Sequence, residues 1–179
     1  MDMKTLTVLS GKELRETAME ILALVGEVFP PKIAAYYEKE WLMENLSNPD
    51  SINIVVTDEK GAIRSYLLAM PLSKARKKLL EKGVEVEEDA NDEKYYVDTL
   101  ISNAPGRIFI KMVNQTMKIA WSRGQKAISM HARFLTGFAN IIMTLFPVEL
   151  VTVHENFMGY GEPFWYLEGD LKNVKWLQK

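Results

Sequence analysis

The sequence predicts an α/β (α+β) fold: a mixed, mostly antiparallel sheet with one parallel strand–helix–strand unit at its centre. Three observations carry this. Strand-like and helix-like stretches follow one another in the order β-α-α-β-β-(α)-β-α-β-α-β-β. Turn signals of the hairpin kind join the strands early and late in the chain. Between them an apolar strand, a Gly-bearing loop, an amphipathic helix and a second strand follow in order, and such a unit closes as a right-handed parallel crossover.

The elements read as follows. "TLTVL" (5–9) is a short strand. Ser10 and Glu13 then have the spacing of a capping box. Leu14, Ala18, Ile21, Leu22 and Val25 recur at helical spacing, which predicts an amphipathic helix over 11–28. "FPPK" interrupts it, and Pro31 suits the first turn of a second helix. That helix carries Ile33, Tyr37 and Trp41 on one face and ends near "NLSNPD". "INIVVTD" and "AIRSYLLAM" are strands joined by the turn "EKG". "PLSKARKKLLEKG" reads as a short helix. "VEVEEDANDEK" reads as an acidic, solvated loop, because a run of mixed charge usually faces water.

"KYYVDTLIS" (94–102) is a mostly apolar, central strand. After the loop "SNAPGRIF", Ile110, Val113, Met117, Ala120 and Trp121 form an apolar stripe. Gly124 fits the position that ends a helix. "KAISMHA" (126–132) is the next strand and "TGFANIIMTLF" (136–146) the next helix. "VELVTVHE" and "PFWYLEGDL" are the last strands, joined through "NFMGYGE".

Composition bounds the rest. The chain has 179 residues, 47% hydrophobic and 26% charged, which suits one domain spanning 1–179 with a polar insertion around 71–93. No cysteine is present, so disulfides, Cys-zinc sites and thiol nucleophiles are excluded, and a reducing cytoplasm is expected. The opening residues lack the apolar stretch of a signal peptide. The longest apolar region, "FANIIMTLFPVELVTV", is broken by Pro147 and Glu149 and is too short to cross a bilayer, so no membrane partner is expected. A net charge of −2 argues against nucleic-acid binding. Dinucleotide-binding, P-loop, HExxH and Gly-x-Ser-x-Gly motifs are all missing. His154 beside Glu155 is not a metal motif, and no metal is expected. The ten methionines suit an adaptable core or an apolar groove.

With these elements placed, the chain resembles the GNAT superfamily of acyl-CoA N-acyltransferases along nearly its whole length. The best local match is "APGRIFIKMVNQTMKIAWSRGQKAISMHAR". The ending "GYGEPFWYLEGDL" is similar to that superfamily's last hairpin. The resemblance implies helices on both faces of the sheet and acetyl-CoA or another acyl-CoA as donor substrate. It also implies a small-molecule or peptide amine as acceptor and allows a homodimer. The superfamily's phosphate-loop motif falls on Asn103, Gly106 and Ile108 in one register and on Ala104, Arg107 and Phe109 in another. A helix N-terminus attracts phosphate through its N–H groups and dipole. Gly106 lets backbone come close to a ligand, and Arg107 supplies a cation. The alternative is a plain strand-to-helix turn that needs only Gly106. In the resembling enzymes a backbone amide of the central strand contacts the thioester carbonyl, which here falls at Leu100 or Ile101. The helix Tyr that many of them use as an acid falls near Met143.

Amide-forming acyl transfer needs a base for the amine, donors for the developing oxyanion and a proton for the leaving thiolate. Three residues are candidates. Asp98 is a carboxylate in an apolar strand, where a raised pKa suits a base; it would otherwise face solvent or sit in an ion pair. His131, near the end of its strand, is a ready base or a hydrogen-bonded structural residue. Tyr160, flanked by Gly159 and Gly161, sits at a loop tip and is a proton-donor or substrate contact. Tyr37 and Trp41, with Tyr36, would line the acceptor site, or they belong to the core. Two further readings stay open. One is a GNAT-like binding or regulatory module without catalysis. The other is an acyltransferase taking a longer chain from a carrier protein, with "KARKK" (74–78) as the docking patch.

Overall fold

The computed structural model describes residues 1–105 and 107–178. Its strands form one seven-stranded sheet in the order β1-β2-β3-β4-β5-β7-β6. They are β1 (Asp2–Leu6), β2 (Ile52–Thr57), β3 (Ile63–Pro71), β4 (Lys94–Ser102), β5 (Ala127–Arg133), β6 (Glu149–His154) and β7 (Phe164–Asp170). The pairs β1–β2, β2–β3, β5–β7 and β6–β7 are antiparallel. The β4–β5 pair is parallel, as expected for a strand–helix–strand unit. The helices are α1 (Gly11–Val28), α2 (Pro31–Ala34), α3 (Lys39–Leu46), α4 (Leu72–Glu81), α5 (Ile108–Ser122) and α6 (Phe138–Leu145). None of the described helices is long and apolar enough to cross a membrane.

The chain divides into two compact units. The first comprises Met1–Ala69 and Thr99–Thr116. Its core takes Ala18, Ile21 and Val25 from α1, Leu42 and Leu46 from α3, and the inner residues of β2 and β3. The helical spacing seen along 11–28 therefore corresponds to a buried face. A buried polar network ties α3 to the strands. Tyr66 OH donates to Asn53 Oδ1 at 2.7 Å, and Asn53 Nδ2 donates to the Asn45 carbonyl at 3.0 Å. Ser51 Oγ adds a bond to Asn45 Oδ1 at 3.2 Å.

The second unit comprises Met70–Asp98 and the residues from Met117 onward. Here α5 ends as Gly124 predicted. Gly124 has φ +80, its N–H donates to the Trp121 carbonyl, and the Gln125 N–H donates to that of Ala120. That pair of bonds is the Schellman closure. Gly169 in β7 lies so close to the chain that an added Cβ would meet Val148 Cγ1 at 2.8 Å and the Pro147 carbonyl oxygen at 2.9 Å.

Four expectations need correction. The first strand is Asp2–Leu6, not 5–9, because its register is set by pairing with β2. Leu9 instead is buried, and its N–H donates to the Leu46 carbonyl, so it belongs to the approach to α1. Ser10 takes the N-cap position without a side-chain capping bond, and Gly11 beside it turns with φ +66. The expected second helix is two, α2 and α3, with Tyr36 and Tyr37 in the break between them. Tyr and neighbouring residues have modest helix propensity, so side-chain contacts of the two rings decide their backbone.

The acidic segment after α4 keeps most of its charged side chains in water, as expected, but it is not a free loop. Val84 is 2% exposed and Val86 8%. Arg76 Nε donates to the Val86 carbonyl, Ser73 Oγ to Asp92, and the Lys94 N–H to Asp89. Two apolar anchors and these bonds hold it down despite its charge.

Candidate functional site

The candidates expected for catalysis all lie in the second unit. The β4–β5 ladder pairs Lys94–Val97 with Ala127–Met130, while β4 continues to Ser102 and β5 to Arg133. Asp98 and His131 are the residues immediately after the last pair. Alternation along a strand puts Asp98 on the same face of β4 as Tyr96, and Tyr96 bonds to His131. Its hydroxyl is 2.9 Å from His131 Nδ1.

His131 is packed among rings. Phe157 lies 4.4 Å away between ring centroids, Tyr166 4.8 Å and His154 4.9 Å. Burial, and secondly the neighbouring His154, hold the His131 imidazole well below the ordinary histidine range. Burial also lowers His154. Neutral imidazoles are the form a base needs. Nε2 of His131 and Nε2 of His154 are buried with no hydrogen-bond partner among the described residues. Burial raises the Tyr166 phenol, and the nearby Ser129 hydroxyl pulls it partly back.

Tyr160 follows a 3-10 turn, Phe157–Gly159. Met158, Gly159 and Gly161 all have positive φ, and Asn156 Oδ1 accepts the Gly161 N–H at 2.7 Å. The tip is thus a shaped turn. Burial pushes the Tyr160 phenol up, and the charge of Asp98 adds to that push. Tyr160 also meets Phe157 at 6.0 Å between centroids, so Phe157 sits against both Tyr160 and His131. Asp98, His131 and Tyr160 thereby share one neighbourhood. Sequence reasoning missed Tyr96, Phe157 and Tyr166. For Tyr96 a signal existed, its place two residues before Asp98.

On the same strands, Lys94 Nζ donates to both oxygens of Glu168 at 2.8 and 2.9 Å. Burial works against the Lys94 charge, and Glu168 more than offsets it.

The donor-loop and acceptor candidates lie in the first unit. Ile101 is buried in β4 and Leu100 is half-buried. The Asn103 N–H donates to the Arg64 carbonyl at 2.8 Å, and the Ala104 N–H to Ser102 Oγ at 3.2 Å. Two loop amides are thus engaged by protein. Gly106 lies outside the described residues. Arg107 is exposed, and Ile108 opens α5. Asn103 Nδ2 also donates to Glu27 Oε2 at 3.2 Å. Glu27 and Arg64 help line a surface cavity of about 410 Å³ with Glu20 and Lys60. The loop start therefore borders a cavity of mixed charge.

Tyr37 and Trp41 are grouped, but not as a helix stripe. Tyr37 stacks on Phe29 at 5.7 Å and meets Trp41 edge-on at 6.3 Å. Thr99 Oγ1 of β4 donates to the Tyr37 hydroxyl at 3.4 Å. The break between α2 and α3 brings an aromatic group to the central strand. Met143 is on α6, where no Tyr stands. No group of three or more metal-ligating side chains occurs among the described residues.

No protein-family model matches the chain, and no curated relative does. Its structure is similar to solved acetyltransferases. An aminoglycoside 6′-acetyltransferase type Ii aligns with TM-score 0.68 and 16% identity, over 96% of this chain and 97% of that one. A structure from Desulfovibrio desulfuricans assigned to the GNAT family aligns with TM-score 0.67 and 13% identity, over 95% and 98%. An aminoglycoside 6′-N-acetyltransferase complexed with coenzyme A gives 0.61 and 14%, over 96% and 97%.

Proposed function

We propose that this chain, which has the GNAT acetyltransferase fold, is an N-acyltransferase that moves an acyl group, most simply acetyl, from coenzyme A to a small-molecule or peptide amine. The observation that carries the reading is the end of the β4–β5 ladder. A carboxylate and a neutral imidazole, Asp98 and His131, follow its last pair at once. The amine-acetylating neighbours support the substrate class.

The roles follow from the chemistry. Asp98 or His131 takes the proton that an ammonium must lose before it attacks. The amide of Leu100 or Ile101 donates to the thioester oxygen as charge builds there. Asn103, Gly106, Arg107 and Ile108 hold the pyrophosphate, with the α5 N-terminus behind them. Tyr160 keeps its proton until the thiolate leaves. Tyr37 and Trp41 wall the acceptor.

One observation favours a second reading. The engaged amides of Asn103 and Ala104 leave the loop fewer donors for phosphate. A non-catalytic module, or an enzyme charged by an acyl carrier protein, needs no such cradle.

Thermal unfolding with coenzyme A, acetyl-CoA and longer acyl-CoAs, repeated on Arg107→Ala, tests the choice. A ligand at a hundred times its dissociation constant stabilises by about 2.7 kcal/mol. At this chain length that is a rise of roughly 5–10 °C. A rise that Arg107→Ala reduces supports the coenzyme A enzyme, and the most stabilising chain names the donor. No rise at millimolar thioester removes that enzyme and leaves the second reading.

A further inference from the structure

We propose that the cavity between α1 and the β2–β3 hairpin is an effector site for a small zwitterion, an amino acid or short peptide with a free ammonium and a free carboxylate. Its occupant strengthens coenzyme A binding at the loop after β4. The site stands on its own geometry, and its effect on coenzyme A rests on the acyl-transfer reading. Every residue concerned lies in the first unit. The cavity measures about 410 Å³, within the roughly 300–1,000 Å³ usual for small-molecule sites.

Its two walls differ in charge. On α1, Glu20, Ala23, Leu24 and Glu27 line it at the spacing of one helix face. The two carboxylates stand about 10 Å apart along the helix axis, and no described cation pairs with either. The other wall is the hairpin turn, and Asp58 builds it. Asp58 Oδ1 accepts the N–H groups of Lys60 and Ala62 at 2.9 and 3.1 Å. Its Oδ2 accepts Arg64 Nε at 2.8 Å and Nη2 at 2.7 Å. The Arg64 charge is spent on Asp58, whose carboxyl that contact holds below its usual range. Lys60, exposed at the turn, is the unspent cation of this wall. Leu24 and Ile63 supply apolar lining between the walls. A dication is repelled by Lys60, and a dianion by Glu20 and Glu27. A zwitterion with an apolar body suits both walls, its ammonium on α1 and its carboxylate on Lys60.

The cavity is tied to the donor loop through Asn103. The Asn103 N–H donates to the Arg64 carbonyl at 2.8 Å, and its Nδ2 donates to Glu27 Oε2 at 3.2 Å. Both acceptors belong to cavity-lining residues. A ligand ammonium bonds a carboxylate more strongly than a neutral amide does. An occupant therefore takes Glu27 and releases Asn103 Nδ2 for a phosphate oxygen. It also neutralises a carboxylate that borders the loop. Both changes favour an anionic donor, so zwitterion and coenzyme A strengthen each other by the same factor.

The test uses the full chain with L-leucine and L-leucyl-L-leucine, and two controls. Leucinamide lacks the carboxylate, and N-acetyl-leucine lacks the ammonium. Proton–nitrogen NMR should show saturable shifts with leucine or the dipeptide, the tighter of the two giving the ligand's length. The Asn103 side-chain amide should be among the signals that move. Both controls should bind about tenfold more weakly or not at all, as should either zwitterion to Lys60→Ala, because each loses one charge-assisted bond. By calorimetry, saturating zwitterion should tighten coenzyme A binding about fivefold or more, within the roughly 5–150-fold usual for coupled sites. Lys60→Ala should keep the coenzyme A affinity of the unliganded chain and lose that gain. No saturable shift with either zwitterion at millimolar levels overturns the site, and so do controls that bind equally well. A zwitterion that binds without tightening coenzyme A, or that is itself acylated from acetyl-CoA, overturns the effector role. A chain that never binds coenzyme A, yet whose Asn103 amide moves with leucine, loses the acyl-CoA reading and the coupling with it and keeps the zwitterion site.

Discussion

The two units each bury a polar network around a tyrosine, and the networks differ in how they are completed. In the first, Tyr66, Asn53, Asn45 and Ser51 bond to one another through short, protein-only contacts. In the second, Tyr96 OH meets His131 Nδ1, and the Nε2 atoms of His131 and His154 have no partner among the described residues. Both sit in strands of the same sheet. A closed network fixes a core, because every donor is spent and any loss leaves a buried group unpaired. An open network costs stability, and proteins tolerate such violations at functional sites. The contrast supports the proposed site without any motif.

Substitutions can break that contrast. The largest effect is expected from Asn53→Leu, which removes two buried side-chain bonds at once, those to Tyr66 OH and to the Asn45 carbonyl. It should cost about 2–4 kcal/mol, read by urea unfolding. Tyr66→Phe removes one bond from the same network and should cost about 1–2 kcal/mol. Acid should then act on the second unit. An unfolded imidazole takes up its proton near 6.5, whereas the folded His131 and His154 resist it. The unfolded chain therefore binds more protons just below that pH, and stability falls as pH falls. Melting temperatures between pH 8 and 5.5 should show the loss, and His154→Gln should shrink it. The smallest effect is expected from Tyr166→Phe. Its hydroxyl meets only the Ser129 hydroxyl, and removing it should cost about 0.5 kcal/mol or less. If Tyr166→Phe costs as much as Tyr66→Phe, the two networks are alike and the second has lost its distinction.

Much of the architecture was legible from periodicity. The stripe along 11–28 and the strand at 94–102 lie where the pattern placed them, because local spacing and burial agree there. Errors arose where distant partners decide. β1 slid because β2 sets its register. The second helix broke because Tyr37 stacks on Phe29 and reaches Thr99. Val84 and Val86 were hidden in a charged run, and two valines give no period to read. In the candidate site, Asp98 stood out as a carboxylate inside an apolar strand, His131 as an imidazole near a strand end and Tyr160 as a glycine-flanked tip. Phe157, which meets both His131 and Tyr160, was not, since its contact with His131 depends on β7 lying between β5 and β6. His154 read only as half of a failed metal motif, because two histidines in separate strands carry no spacing that signals a meeting.

The division of the chain has a consequence during synthesis. The first unit is assembled from Met1–Ala69 and Thr99–Thr116, so it cannot be completed before residue 116 has left the ribosome. The stretch 70–98 emerges earlier yet belongs to the second unit, whose remaining partners begin at Met117. At a translation rate of about 5–20 residues per second, Val84, Val86, Tyr95 and Tyr96 wait for seconds before β5 and β7 exist to cover them. The acidic run around those valines, which in the folded protein is bonded to α4 through Ser73 and Arg76, is then a soluble escort for an apolar segment whose partners are still being made.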